Sequence, residues 1–438
     1  MQSISGVMER SGTAFYSQFA QAIPTGTYGI LILFAVLAVI VGVVLYVIRQ
    51  PSNTDVKNTQ LLRYRSVYDS LSQGRKGVSD YLNQKDVQLS KDNWVLLNFA
   101  PLSVADAGYL GPAEDGNYDP IAIRQALDLG FRCFVFNIDY YTGAAKDPKD
   151  FVPPYEPCLL HRDNNGVIRS RNCGKIDVMI QALAEQAFSQ SLPTGNDPLI
   201  VVLDFKNLPD QVKDKQAYKL FLQKVSKQIQ PLRRTFLARL GETRFSNLEN
   251  PNALFTQNFQ SLQGKTLIFT NANTDIFNEG GTPIEENLRS MINAQVYTTN
   301  GSTLPNDTIT TSAPKGTTAA VGRQTVSYFL NTPPDQVKEA QGRTNNVFTL
   351  VNIPDTYRNI ASADRDTLFK TYGVQSVLYF LYETPQLTEA LLKEWGTWSW
   401  KLKPKDLQYI VVRIPPPQPI SSKANANQGN VRQPTLQI

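Results

Sequence analysis

Apolar and polar positions along the chain follow two periods, which predict strands and helices in turn. Short apolar, β-branched runs predict buried strands, and apolar residues spaced three and four apart predict helices that cover them. The strand candidates are Trp94–Phe99, Phe131–Tyr140, Pro198–Lys206, Lys265–Thr270, Val347–Asn352, Val374–Tyr382 and Leu407–Ile414. The helix candidates are Pro120–Leu129, Ile176–Phe188, Lys213–Leu240 and Leu387–Trp395. This alternation predicts one parallel α/β barrel.

One stretch near the N-terminus departs from this pattern. Residues 28–48 contain no charged side chain, and Tyr28 and Tyr46 stand near the two ends of the run. A helix of about 20 apolar residues crosses a hydrocarbon core about 30 Å thick. The run therefore predicts a single transmembrane helix. A cleaved signal peptide fits less well, because no basic segment precedes the run and no small-residue cleavage site follows it.

The remaining boundaries follow from composition. Basic residues outnumber acidic ones just after the apolar run, so the positive-inside rule places the large C-terminal part on the cytosolic side. Residues 280–345 are rich in Asn, Thr, Gly and Pro and predict an insertion within the barrel. The predicted units are a short segment at 1–27, the transmembrane helix at 28–48, a stalk at 49–91, the barrel at 92–414 and a Pro/Gln/Asn-rich tail at 415–438.

Charge and cysteine content remove some classes of function. The net charge is only +5 and no Lys/Arg block occurs, which argues against nucleic-acid binding. Cys133, Cys158 and Cys173 form no CxxC pair, and the chain has only one histidine that could join them as a metal ligand. These counts predict neither a zinc site nor a disulfide framework, but buried free thiols in a reducing compartment.

Candidate site residues stand at predicted strand ends. Asp204 closes the buried run at 198–206, and Asn137 and Asp139 close an earlier one. In parallel barrels the carboxyl ends of the strands carry the ligand site. His161 is the only histidine in the chain. Taken alone, it fits a hydrogen-bonded structural role better than a catalytic one, because histidine serves many roles.

Six short motifs, in order, resemble the X and Y halves of the catalytic barrel of phosphoinositide-specific phospholipase C. They are Ala126–Cys133, Glu156-Pro157 with His161, the segment from Ala187-Phe188 to Asp204, Gly264–Ile268, Gly373-Val374-Gln375 and Leu402–Leu407. The resemblance covers most of residues 93–413. It implies an α/β fold, a distorted TIM (β/α)8 barrel of the phospholipase C-like phosphodiesterase type, here preceded by one transmembrane helix.

The chemistry implied by this resemblance needs two histidines. One stabilises the transition state and the second protonates the leaving group. His161 resembles the second. The family's first histidine closes the first strand, and the matching stretch here, Asn98-Phe99-Ala100-Pro101-Leu102, has none. A chain with one histidine is therefore expected to have weak or lost activity, unless Asn98 or Lys206 takes over that role.

The resemblance also implies a reduced calcium site. Aligned at the strand end, Asn137 and Asp139 take two ligand positions and Asp204 takes the third. Aligned from Gly130 without a gap, the first two positions fall on Val135 and Asn137 instead. Two carboxylates with amide support are expected to hold calcium weakly. The cations expected to bind a phosphoinositide headgroup are Arg132, Lys206 and Lys403.

Two functions remain open at this point. The first is a single-pass membrane protein with a catalytically degenerate barrel, which binds protein partners in an assembly. The Asn/Gln/Thr-rich composition also fits a component of the virion membrane of a large DNA virus. The second is an active calcium-dependent phosphoric diester hydrolase acting on phosphoinositide-type lipids. The missing first histidine favours the first.

Overall fold

The computed structural model describes residues 27–49, 52–84, 91–111, 115–143, 155–163, 165–236, 254–298, 319–352 and 360–410. The strands are β1 (Phe99–Pro101), β2 (Ser103–Val104), β3 (Tyr109–Leu110), β4 (Asn117–Tyr118), β5 (Cys133–Tyr140), β6 (Pro157–Leu159), β7 (Leu199–Phe205), β8 (Thr266–Thr270), β9 (Ala294–Thr298), β10 (Ala319–Thr325), β11 (Phe348–Asn352), β12 (Ser376–Tyr379) and β13 (Trp400–Leu402). The α-helices are Thr27–Arg49, Asn53–Leu71, Val78–Leu82, Pro120–Asp128, Ile176–Gln186, Lys215–Gln228, Val326–Leu330, Val337–Asn346, Ser362–Asp366 and Pro385–Trp395. A π-helical turn occupies Thr367–Thr371.

Eight parallel strands close into a barrel. Their order is β2, β5, β7, β8, β9, β10, β11 and β12, and β2 pairs with both β12 and β5 to close the ring. β6 joins the outside of this ring by pairing antiparallel with β5. The parallel α/β barrel predicted from the sequence is therefore confirmed.

Alternation along the strands decides which side chains enter the barrel. On β7, Ile200 and Val202 belong to the apolar cluster that fills the interior, whereas their neighbours pack against the surrounding helices. Asp204 continues the inward-facing set at the carboxyl end of the strand. On β5 the same period leads from the buried interior to Asn137 and Asp139. All three polar residues therefore lie at the barrel mouth, as predicted.

The helix Pro120–Asp128 shows how local sequence fixes an element of the wall. The Asp119 side chain accepts a hydrogen bond from the Ile121 amide at 2.9 Å and so caps the first turn. Such a cap contributes about 1 kcal/mol. Ile123 and Leu127, four residues apart, are fully buried against the barrel. The helix begins where Asp119-Pro120 predicts it to begin.

The helix Asn53–Leu71, which lies within the predicted stalk at 49–91, packs on the barrel. In the helix Asn53–Leu71, Tyr64 is buried and meets the ring of Tyr382 edge-on, with 5.0 Å between the centroids. The Tyr68 hydroxyl donates to Asp128 on a neighbouring helix. The apolar face expected on this helix is therefore present, but it covers the barrel wall rather than standing away from it.

The predicted insertion at 280–345 contributes two barrel strands. β10 pairs with β9 at residues 319–323 and with β11 at residues 321–325. The sequence of β10, Ala-Ala-Val-Gly-Arg-Gln-Thr, combines small and polar residues and so lacks the apolar pattern of a buried strand. Two barrel strands thus lie within the range that the sequence predicts as an insertion, and β10 brings Arg323 to the mouth.

The apolar run near the N-terminus forms the helix Thr27–Arg49. Its side chains are described from residue 30 to residue 45, and all of them are exposed. Over the residues that the structure describes, no helix meets the length and apolarity that a membrane crossing requires. The structure therefore does not support the predicted transmembrane helix. The segment at 1–26 and the tail at 415–438 lie outside the described residues.

Candidate functional site

Asp204 lies between two cations at the barrel mouth. The Arg323 guanidinium is 2.7 Å from one carboxylate oxygen, and the Lys206 ammonium is 2.6 Å from the other. The Asn271 amide, just beyond β8, donates to the first oxygen at 2.9 Å. The side chains of Asp204 and Arg323 are only 2% and 3% exposed. Both oxygens of this carboxylate thus have charged partners from the chain itself.

The charge of Asp204 is fixed by these partners. Burial by itself raises the pKa of a carboxyl group, because a charge is poorly solvated inside a protein. At Asp204 the positive charges of Arg323 and Lys206 outweigh burial, and they lower the pKa to about 2. The carboxylate therefore stays ionised at any ordinary pH.

Asp139 has a similar partner. Nε and Nη2 of Arg162 contact its two carboxylate oxygens, at 2.7 and 3.1 Å. The Asn207 side chain donates to one of these oxygens at 2.7 Å. Bidentate pairs of this kind are among the stronger charge-assisted interactions in proteins. Asp139 is buried, whereas Arg162 is 24% exposed and reaches the surface.

His161 forms a third polar group beside the mouth. Its Nδ1 lies 2.5 Å from a carboxylate oxygen of Asp106, and the Tyr118 hydroxyl donates to the other oxygen. The imidazole stacks on Tyr109 with 4.4 Å between the ring centroids. This distance between Nδ1 and the Asp106 oxygen is that of a hydrogen bond between the imidazole and the carboxyl group. The side chains of His161 and Asp106 are 1% and 0% exposed, so this pair is enclosed.

The place expected for the first histidine is corrected by the structure. The first barrel strand is β2 and not the predicted strand at 94–99, so its carboxyl end leads to Asp106. Asn98 lies at the opposite end of the barrel, where its amide donates to the carbonyls of Asn93 and Tyr409 at 2.8 and 2.9 Å. Asn98 therefore does not stand in for a histidine at the mouth.

Arg132, expected to bind a headgroup, also lies at the opposite end. It directly precedes β5 and is fully buried. Its guanidinium donates to the Ala187 carbonyl at 2.7 Å and to the Thr194 hydroxyl at 2.6 Å. Burial lowers its pKa to about 10. The structure thus gives Arg132 a role in holding the strand to the following helix and loop.

Lys403, the third of these cations, is buried at that end as well. Its ammonium donates to the Thr344 carbonyl at 3.2 Å, and Asn345 accepts at 3.4 Å. Burial lowers its pKa to about 7. Of the three cations predicted to bind a headgroup, only Lys206 lies at the mouth.

Three residues that shape the mouth were missed from the sequence. Arg323 lies in the region taken for an insertion, and only the inward alternation of Val321 and Arg323 could have pointed to it. Asp106 follows a strand of two residues, too short for any periodic signal. Arg162 stands next to His161 in the sequence, but its partner Asp139 depends on the pairing of β6 with β5.

The residues at the mouth do not fit a calcium ion. Asn137 pairs in register with Asp204, and Asp139 lies two residues farther along, so the structure brings the three expected ligands together. However, calcium needs six to eight oxygen ligands, and both carboxylates here already contact arginine or lysine. A calcium ion beside either carboxylate would be repelled by the positive charges that already contact it. Over the described ranges, no cluster of three His, Cys, Asp or Glu side chains could hold a metal.

No protein-family model and no curated protein matches the chain. Similar solved structures include PLC21 of S. officinalis, which is 15% identical, with 74% of this chain and 39% of that chain covered and a TM-score of 0.46. The calcium-dependent phosphoinositol-specific phospholipase C of a Pseudomonas species is 8% identical (72% and 97% covered, TM-score 0.39). A calcium-dependent phosphatidylinositol-specific phospholipase C of Streptomyces antibioticus is 11% identical (68% and 97% covered, TM-score 0.39). The chain spans about two fifths of the first of these proteins.

Proposed function

We propose that the chain is a membrane-attached barrel of phospholipase C-like fold that has lost calcium-dependent catalysis and acts as a binding or structural component of an assembly. The observation that carries this proposal is the position of Asp204 between Arg323 and Lys206. These cations already neutralise the carboxylate on which a calcium ion would depend. Asp106 at the end of the first barrel strand also supports it, because a carboxylate does not replace the first histidine.

A cleavage assay tests the loss of catalysis. The full chain is incubated with phosphoinositide vesicles, once with calcium and once with a chelator, and the release of inositol phosphate is measured. We expect no calcium-dependent product. Calcium-dependent release that disappears in Asp204→Asn, with an unchanged circular dichroism spectrum, would overturn the proposal and favour a calcium-dependent phosphodiesterase.

The membrane attachment is proposed from the exposed helix. Its apolar side chains include Phe34 and Val39, which are 68% and 66% exposed. A continuous apolar surface of this kind is rare on proteins that contact only water. Lys206, which is 35% exposed at the mouth, is the residue that we propose for contact with an anionic headgroup.

Flotation with vesicles tests this attachment. The full chain is expected to float with the lipid, and Phe34→Arg with Val39→Arg should leave it in the aqueous fraction. Val212→Arg is the matched control, because Val212 is an apolar side chain on the barrel, 84% exposed and remote from the helix in sequence. Equal flotation of both variants would show that the exposed helix does not attach the chain to the lipid.

A second candidate function is phosphodiester cleavage without calcium. The observation that favours it is the His161 imidazole, which the contact with Asp106 holds in one orientation. In this case His161 would supply the proton and the cations would stabilise phosphate charge. It predicts turnover that is unaffected by a chelator and lost in His161→Gln. The enclosure of His161 makes this the weaker of the two proposals.

A further inference from the structure

A cavity of about 260 Å³ lies outside the barrel, away from the mouth. It is bounded by β12, the helix Pro385–Trp395 and the π-helical turn Thr367–Thr371. Its apolar wall is formed by Leu102, Phe369, Val377, Tyr379, Leu391 and Trp395. None of these residues takes part in the polar clusters of the mouth, so the cavity is a separate feature of the fold.

Three positive and two negative side chains line this cavity. Arg365 pairs with Glu394 at 2.8 Å, and Lys370 pairs with Asp366. The fifth charged residue is Lys401, whose ammonium lies 4.9 Å from the Trp395 ring and donates to the Glu394 carbonyl at 3.3 Å. Among the residues that the structure describes, no carboxylate forms an ion pair with Lys401. The cavity therefore has one positive charge in excess, next to an apolar wall.

The ammonium of Lys401 is partly buried at the cavity wall. Burial lowers the pKa of its ammonium, because the charge is partly removed from water. An anion bound beside it would restore the lost stabilisation. Asp366 and Lys370 are 54% and 64% exposed, so the cavity reaches solvent on their side and a ligand has a route of entry.

The π-helical turn is a second, independent sign of a site. Such turns are rare and occur often at functional sites. Here the turn supplies Phe369 and Lys370 to the cavity wall. A regular α-helical turn would place these side chains differently around the helix axis, so the irregularity coincides with the cavity.

We propose that this cavity binds a small amphipathic anion, namely an alkyl chain ending in a carboxylate. The carboxylate contacts Lys401 and the chain lies against Val377, Leu391 and Trp395. A cavity of about 150 Å³ holds benzene with its six carbon atoms, so 260 Å³ takes a ligand of roughly ten heavy atoms. A medium-chain fatty acid of eight to ten carbon atoms, which has about ten to twelve heavy atoms, is close to this size and has this chemistry.

Calorimetric titration of the full chain with decanoate tests the proposal, with decanol as the uncharged probe. We expect saturable one-to-one binding of decanoate. Lys401→Gln should weaken decanoate binding about tenfold, as expected for the loss of a contact between opposite charges, and leave decanol binding nearly unchanged. Lys393→Gln is the control, since Lys393 lies on the helix Pro385–Trp395 that bounds the cavity but does not line the cavity itself. It should bind decanoate as the unmodified chain does.

Filling the cavity gives the second arm of the test. Val377→Phe should abolish binding of both probes, and Leu391→Phe from the opposite wall serves if the first variant does not fold. The proposal is overturned if the unmodified chain shows no saturable binding of decanoate. It is also overturned if the filled variants bind as strongly as the unmodified chain, because the probe then occupies another surface, such as the exposed apolar helix.

Discussion

The two ends of the barrel both bury charged side chains, but they stabilise them differently. At the mouth, Asp204 contacts Arg323 and Lys206, and their positive charges lower its pKa to about 2 despite its burial. At the opposite end, Arg132 and Lys403 donate to backbone carbonyls, and burial lowers their pKa values to about 10 and about 7. The charged form of the buried acid is therefore stabilised at the mouth, whereas the charged forms of the buried bases are destabilised at the opposite end.

This difference separates two uses of the same residue types. A buried cation that meets carbonyl groups joins segments of the chain, and its own charge is a cost to folding. A buried cation that contacts a carboxylate at a strand end neutralises the charge of that carboxylate. The sequence shows arginine or lysine in both cases, and the two roles are distinguished only by the group that the cation contacts in the folded chain.

The largest effect is expected when the mouth loses its buried arginine. Arg323→Leu leaves the Asp204 carboxylate with Lys206 and Asn271 alone, and removing one partner of a buried pair typically costs about 3–5 kcal/mol. The free energy of unfolding, measured with urea, should fall toward the lower part of that range because Lys206 remains. Arg343→Leu, which breaks an exposed pair with Glu339, should cost less than about 1 kcal/mol. Equal losses in the two variants would contradict the distinction.

The same pair predicts a pH dependence at the acid end. Because the folded pKa of Asp204 is lowered from 3.8 to about 2, the folded state is favoured above pH 3.8. This stability is lost as the pH falls toward 2. Arg323→Leu should therefore reduce the loss of stability over that window, which unfolding curves at a series of acidic pH values would show.

Replacing the buried Lys403 at the opposite end is expected to stabilise the folded chain. The pKa of Lys403 falls from 10.5 to about 7 in the folded chain, so the unfolded chain binds the proton more tightly between these values. Stability therefore rises with pH from about 7 to 10.5, and the cost of burial is complete below 7. Lys403→Met should remove this dependence and stabilise the chain at pH 7 by a few kcal/mol. Lys405→Met, an exposed neighbour, is the control, and a less stable Lys403→Met at pH 7 would contradict this.

Asp197, a buried acid at the opposite end, is expected to give a pH dependence opposite in sign to that of Asp204. Burial raises its pKa to about 6, although it accepts hydrogen bonds from the Val78 amide at 3.0 Å and from the Ser399 hydroxyl. The folded chain thus binds the proton more tightly between pH 3.8 and 6, and stability falls as the pH rises through that window. Asp197→Asn should remove a change in stability of up to about 3 kcal/mol over the window, since each pKa unit corresponds to about 1.4 kcal/mol. An unchanged slope in thermal unfolding would contradict the assignment.

How much the sequence predicts depends on the strand. β5 and β7 are long and apolar, so their bounds and the inward positions of Asn137, Asp139 and Asp204 follow from alternation. β2 has two residues and β10 is small and polar, so neither gives a periodic signal. Asp106 and Arg323, which those strands carry to the mouth, decide its chemistry. The fold was thus predictable and the charge balance of the site was not.

A calcium titration decides whether the mouth binds calcium. The full chain in detergent is first treated with a chelator, which is then removed, and calcium binding is followed by calorimetry. If Arg323, Lys206 and Arg162 satisfy the carboxylates, no saturable binding occurs at calcium concentrations up to about 1 mM, where weak calcium sites fill. Asp204→Asn should give the same flat titration. Saturable binding at one site, abolished by Asp204→Asn, would show that calcium displaces the chain's own cations and would contradict the proposed loss of the metal.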